Sequence, residues 1–176
     1  MQFDNYHIRL LQQGDASAYF GLIEANRSRL EDFFAGLVSK TKTLEDTSAF
    51  LSGIEDKIGE KTYFPFIVTD NTGGHIVGFI DVKNIDWNIP KAELGCFMDN
   101  RYAGKGIAKK ALELVIAHLF RESGFNKLFL RTHESNIAAR AVAEQCGFEV
   151  EGIIRKDYRT TKGELIDVLY YGLLKK

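Results

Sequence analysis

The chain has 176 residues, 45% of them hydrophobic and 27% charged, with a formal net charge of -1. That is the make-up of one globular domain, 1–176, long enough to bury a real core, and its near-neutral balance argues against a dedicated nucleic-acid binder. Cys96 and Cys146 are too few and too far apart for a disulfide framework or a CxxC motif, which points to a reduced, cytoplasmic setting; no leader-like N-terminus and no window near ~18 apolar residues calls for secretion or a membrane.

Tyr6–Leu11 alternates apolar and polar residues like an edge strand, and Asp15 stands at an N-cap position ahead of "ASAYFGLIEAN". In "TLEDTSAFLSGIEDKIG", Thr43 and Asp46 have capping-box spacing, and Leu44, Leu51, Ile54 and Ile58 fall on one helical face. "YFPFIVT" and "IVGFIDV", joined by the turn-prone "DNTGGH", predict a hairpin. A strand "AELGCFM", a long helix ending near Phe120 and a strand "KLFLRT" follow, then the small-residue helix "NIAARAVAEQC" and two closing strands, "FEVEGIIR" and "LIDVLYYGLL". The predicted order is β-α-α-β-β-β-α-β-α-β-β, without repeats or Pro-rich linkers.

Between the strand ending at Met98 and the long helix lies "DNRYAGKGIA". A strand, a tight glycine loop and a helix N-terminus gather unsatisfied N–H groups and the positive end of a helix dipole at one point. Gly104 and Gly106 leave that backbone open, while Lys105 and Arg101 add positive charge, so a phosphate or pyrophosphate is the natural ligand. A plain turn requiring glycine dihedrals would leave the same pattern. A P-loop lacks its G-K-[ST] ending here, and a Rossmann fingerprint requires a third small residue in an early βαβ unit.

The element order together with "AELGCFMDNRYAGKGIAKKAL" resembles the GNAT superfamily of acetyl-CoA-dependent N-acetyltransferases, and is closest to its Rim-type subgroup through "NRSRL", "NIAARAVAEQCGFEVEGIIR" and "IDVLYYGL". The resemblance implies an α/β fold whose mostly antiparallel, twisted sheet is splayed between the fourth and fifth strands, with flanking helices. It implies that the loop Ala103, Gly104, Lys105, Gly106, Ile107 and Ala108 wraps the pyrophosphate of coenzyme A, within a [Q/R]-x-x-G-x-[G/A] pattern. Ala103 stands where that pattern has glutamine or arginine; a second register, Arg101-x-x-Gly104-x-Gly106, also satisfies it but shifts the neighbouring elements out of step. The end of the preceding strand, Phe97 and Met98, would meet the pantetheine arm, with the Met98 N–H as an oxyanion donor. Asn136 resembles the family asparagine that contacts the cofactor, and would serve equally as a helix cap. Arg140 would reach the phosphates or lie on the surface.

Acetyl transfer to an amine also needs a group that takes the ammonium proton. Glu93 resembles the strand glutamate that acts as general base in some members, and by alternation shares a face with Gly95 and Phe97. The family's general acid, a tyrosine, maps onto Ala143, and the serine of some Rim-type members maps onto Ala139, so both hydroxyls are missing; water, Tyr158 or Tyr102 is left as proton donor. A covalent route through Cys96 with His133 runs against the superfamily's direct transfer within a ternary complex.

The resemblance fixes the donor, acetyl-CoA, better than the acceptor, which by family habit is a protein N-terminal α-amine or a small amine such as a polyamine, in a homodimeric enzyme without a metal. The acceptor pocket is expected from "NRSRLEDFF", "NIDWNIP" and "KDYRTTKGELID", with Asp157, Glu164 and Asp167 as candidate partners for a cationic amine. Two rivals remain: an acetyl-CoA sensor without turnover, suggested by the missing hydroxyls, and a protein that binds another diphosphate, for which ATP or NAD would compete equally.

Overall fold

The computed structural model describes residues 1–176. Eight strands, β1 (Gln2–Phe3), β2 (Tyr6–Leu10), β3 (Phe64–Asp70), β4 (Ile76–Asp86), β5 (Lys91–Met98), β6 (Lys127–Thr132), β7 (Glu149–Arg159) and β8 (Leu165–Leu174), form one sheet in the order β1-β2-β3-β4-β5-β6-β8-β7. Every neighbouring pair is antiparallel except β5–β6, because a helix connects those two strands. The strand β3 is buried along nearly its whole length and β4 from Ile76 to Val82, as expected where both sheet faces are covered.

One face is covered by α1 (Ala16–Phe33), α2 (Ala35–Val38), α3 (Leu44–Ser52) and α4 (Ile54–Gly59), where Tyr19, Ile23, Leu30 and Leu51 pack with Phe79 and Phe97 from the sheet. The other carries α5 (Ile107–Glu122) and α6 (Ile137–Gln145). The buried residues of α5, namely Ile107, Ala111, Leu112, Val115, Ile116 and Leu119, recur at helical spacing and meet Ile80, Leu94, Met98 and Leu128.

Three local expectations are corrected. Asp15 precedes α1, but its carboxylate is taken by Arg9 through two 2.7 Å hydrogen bonds and by the Gln12 N–H at 2.9 Å, and makes no cap bond to α1. Thr43 does cap α3, its Oγ1 accepting from the Asp46 N–H at 3.1 Å. The single helix expected downstream is broken at Gly53 into α3 and α4; Leu51 and Ile54, on either side of the break, are buried, whereas Leu44, in the first turn of α3, is exposed. Both long-strand extensions lie at bulges: β4 runs on past a register shift between Lys83 and Asp86, and β7 past one between Ile154 and Tyr158.

Candidate active site

The strands β5 and β6 pair only from Lys91–Lys127 to Glu93–Phe129, after which they part while β5 runs on to Met98. The Asp99 N–H donates to the Val77 carbonyl at 2.8 Å, which makes Met98 and Gly78 a non-hydrogen-bonded pair. The Met98 N–H therefore points away from β4, into the gap that β6 has vacated. A cavity of about 1170 Å³ fills this gap and reaches both sheet faces, with Leu30, Phe34 and Lys83 on one side and Ala108, Leu112 and Ala139 on the other.

The turn Asn100–Tyr102 delivers the chain to the glycine loop. Gly104 and Gly106 both sit at positive φ, 73° and 72°, which a side chain would strain. An added Cβ at either would meet nothing within 4 Å, so the requirement is backbone freedom rather than room. The amides of Gly104 through Lys109 donate to no acceptor in the chain. Ile107 is anchored in the core, which fixes the start of α5 and the direction of these N–H groups. Ala103, Gly104, Gly106, Ile107 and Ala108 line the cavity; Lys105 does not, and its Nζ lies over the Tyr102 ring at 5.1 Å from the centroid. Arg101 is committed elsewhere: it binds the buried Asp99, with Nη2 2.6 Å from Oδ2, and holds that carboxyl below the usual aspartate range. Lys109 and Lys110 likewise pair with Glu113 and Asp4.

Asn136 lines the cavity from the start of α6 and caps it, Oδ1 accepting from the Ala139 N–H at 3.2 Å. Arg140 does not reach the cavity. Its Nε donates to the Tyr171 hydroxyl at 3.3 Å and its Nη1 to the Glu134 carbonyl at 3.1 Å, so it ties α6 to the sheet.

Glu93 is buried at the point where β5 and β6 part. Its Oε2 accepts from Asn84 Nδ2 at 2.7 Å and from Arg131 Nη2 at 2.9 Å, and Oε1 has no partner in the chain. Arg131 also binds Asp157 at 2.6 Å. Asn84 occupies the β4 bulge at φ 49°, so the irregularity supplies the amide that reaches Glu93. Beside this group, Asp81 pairs with Lys83 at 3.2 Å across Gly95. A Cβ at Gly95 would lie 2.2 Å from Asp81 Oδ1 and 3.0 Å from Lys83 Nζ, so that pair requires the glycine.

Ala139 and Ala143 line the cavity without hydroxyls. Of the other two tyrosines, Tyr102 directs its hydroxyl to Asp70 Oδ2 at 3.1 Å, whereas Tyr158 projects from the β7 bulge and accepts from the Ala35 N–H at 2.8 Å. Burial raises the Tyr158 pKa, so it keeps its proton. Cys96 faces the cavity, but burial pushes its thiol up to about 12; His133 lies in a separate cavity of about 300 Å³, its Nδ1 2.7 Å from Ser135 Oγ. The Cys96–His133 pair does not exist.

Among the segments expected to line an acceptor pocket, "NRSRLEDFF" does so through Arg29, Leu30, Phe33 and Phe34. Arg29 hydrogen-bonds the Met98 carbonyl through Nη2, and Asn26 Oδ1 accepts from the Asn100 N–H at 3.0 Å, so this segment clamps the end of β5. "NIDWNIP" contributes only Asn84: Trp87 stacks on Phe125 with centroids 4.7 Å apart and donates to the Lys61 carbonyl. From "KDYRTTKGELID" only Tyr158 lines the cavity; Asp157 is held by Arg131, Asp167 accepts from the Lys156 N–H at 3.0 Å, and Glu164 lies outside.

Residues 6–149 match the family described as "Acetyltransferase (GNAT) domain". The chain belongs to the GNAT acetyltransferase family. It is 33% identical, over 96% of its length and 91% of the relative's, to "Putative ribosomal N-acetyltransferase YdaF" of Bacillus subtilis (strain 168). The fold superposes on the ribosomal-protein-S5-alanine acetyltransferase of Vibrio fischeri with a TM-score of 0.89 at 22% identity, covering 99% of this chain and 95% of that one. A ribosomal L7/L12 α-N-protein acetyltransferase, RimL, solved with coenzyme A, superposes with a TM-score of 0.88 at 18% identity, covering 98% and 95%.

As a GNAT protein the chain is an acyltransferase. Sequence reasoning overlooked Asn84, Arg131 and the Asp81–Lys83 pair. One signal was available for Arg131: a charge that follows the apolar run "LFL" inside the strand "KLFLRT" needs a partner when its strand is central.

Proposed function

We propose that the chain transfers an acetyl group from acetyl-CoA to a primary amine, the N-terminal α-amine of a protein, by direct attack within a ternary complex in one domain spanning 1–176. The observation that carries this is the free amide run Gly104–Lys109 opening onto the gap between β5 and β6. A pyrophosphate fits those amides at a helix N-terminus, and a pantetheine chain fits the unpaired edge of β5 along Phe97 and Met98. The Met98 N–H acts there as a donor to the carbonyl oxygen on which charge develops. Asn136 contributes from the other wall. Lys105 adds charge by swinging from Tyr102, while Arg140 serves by orienting α6.

In this reading Glu93 takes the ammonium proton, directly or through water, at Oε1, while Asn84 and Arg131 hold Oε2. Water or Tyr158 protonates the departing thiolate. A cytoplasmic homodimer is part of the same proposal, supported by the exposed apolar residues Val150, Ile153 and Ile154 on the edge strand β7.

The test is calorimetric titration with acetyl-CoA, followed by thiol release against a panel of peptides and small amines. Saturable binding with amine-dependent release that Glu93→Gln lowers by at least tenfold is the expected result. Release unaffected by that change would remove Glu93 as base. Binding without release across the panel would favour a sensor, the reading that the alanines at 139 and 143 suggest, and absence of binding would overturn the donor assignment.

A further inference from the structure

The half of the cavity bounded by α1–α4 lies on the opposite face of the sheet from α5, whose N-terminus carries the glycine loop. Its charges are unbalanced. The lining cations are Arg29, Lys40, Lys57, Lys83 and Arg131, and the lining carboxylates are Glu60, Asp81 and Glu93. Lys83 is neutralised by Asp81 and Arg131 by Glu93. Arg29 spends its hydrogen bonds on the uncharged Met98 carbonyl and Asn26 amide oxygen. Lys40 and Lys57 form no ion pair, and each Nζ lies 5.7 Å from the centroid of the same Phe50 ring. Of the lining carboxylates only Glu60 is left to oppose these three, while behind the lining Arg29 also faces Asp99, which Arg101 already pairs. Glu55 and Asp56 precede Lys57 on α4 but do not line the cavity.

Each exposed cation–π contact returns only about 0.5–1 kcal/mol and leaves its ammonium without a counter-charge. An anion entering this half of the cavity would meet both lysines. The unclaimed amides of the loop already provide for a donor's phosphates, so these lysines are available to the acceptor.

Resting on the acetyltransferase reading above, we propose that the acceptor is an anionic amine: a primary amine on a molecule that carries carboxylate or phosphate groups close by, held by Lys40 and Lys57 with Arg29. The same field disfavours polyamines, and the acids once expected to receive a cationic amine are elsewhere in the structure: Asp157 is paired with Arg131, while Asp167 and Glu164 do not reach this cavity. An acidic protein N-terminus and a small acidic amine present the same chemistry.

The experiment measures kcat/KM for thiol release with three peptides sharing one N-terminal residue and followed by Glu-rich, neutral or Lys-rich sequence, alongside phosphoethanolamine, aspartate and spermine. Two exposed charge pairs give an expected preference for the acidic peptide over the neutral one of roughly 3- to 10-fold, diminishing with added salt. A faster reaction with phosphoethanolamine or aspartate than with any peptide would identify the small-molecule source of the same anion. The double variant Lys40→Glu/Lys57→Glu should abolish or invert the order, and Lys40→Gln/Lys57→Gln should flatten it. Acetyl-CoA titration of each protein separates the two claims. Normal binding with equal or better use of spermine or the Lys-rich peptide overturns the anionic acceptor, as does an acidic preference that survives both double variants. Failure of the wild type to bind acetyl-CoA overturns the donor reading beneath it.

Discussion

Arg131→Met tests the ion pair that holds Glu93 at the split between β5 and β6. The side chain of Glu93 is 7% exposed and that of Arg131 is 28%, so the carboxylate is the member that cannot turn to water. Methionine keeps most of the stem and removes the charge. Breaking a buried pair by deleting one partner costs about 3–5 kcal/mol. Two features bring the value here to about 2–3 kcal/mol: Asn84 Nδ2 still donates to Oε2, and the other anion released, Asp157, is 36% exposed. For a chain of this length that corresponds to a fall in Tm of about 5–10 °C. Urea unfolding gives the free energy directly, with an unchanged m-value showing that the unfolded state is the same. The double variant Glu93→Gln/Arg131→Met should recover most of the loss, because the stranded charge has gone. A single variant within about 0.5 kcal/mol of wild type, or a double variant no more stable than the single, would refute the claim that this pair fixes Glu93.

Gly106→Ala forces a side chain at φ 72°, costing about 1 kcal/mol in stability and turning the loop amides; acetyl-CoA affinity measured by calorimetry should weaken about tenfold, while the same change at Gly14, which is not at positive φ, should leave it alone. Because the Cys96 thiol is pushed up to about 12, the neutral form dominates at every pH below that, and iodoacetamide at pH 8 should leave Cys96 unmodified by mass spectrometry; Cys96→Ala should retain thiol release, whereas loss of release would revive a covalent route.

Much of the scaffold follows from local pattern. The last strand, Leu165–Leu174, has the predicted bounds, because a near-continuous apolar run of ten residues rich in Val, Ile and Tyr follows a glycine-containing turn and is too short and too β-prone to read as a helix. The glycine loop was legible for a related reason: a G-x-G between an apolar strand and an amphipathic helix has few conformations to choose from. What failed locally failed at breaks. Gly53 divides a pattern that periodicity alone carries straight through, and the two-residue β1 is too short to have any pattern.

The candidate site divides along the same line. Alternation placed Glu93, Gly95 and Phe97 on one face, and Phe97 does pack with the α1–α4 cluster. That Glu93 is buried, and that its partners are a bulge residue nine positions earlier and an arginine from the neighbouring strand, depends on pairings no sequence window contains. Asp157 was expected to attract a cation, and it does; the cation is Arg131 of this chain.

By itself the sequence determined the order of the longer strands and helices, the amide-rich loop and the family to which both belong, since these rest on contiguous residues and on short-range dihedral and periodicity constraints. Only the tertiary structure decided where β5 and β6 separate, which charges cancel and which remain free, because burial and ion pairing arise between residues far apart in the chain. The excess of positive charge around Phe50 is of that second kind: Lys40, Phe50 and Lys57 come from three segments, and their meeting is a property of the packed helices.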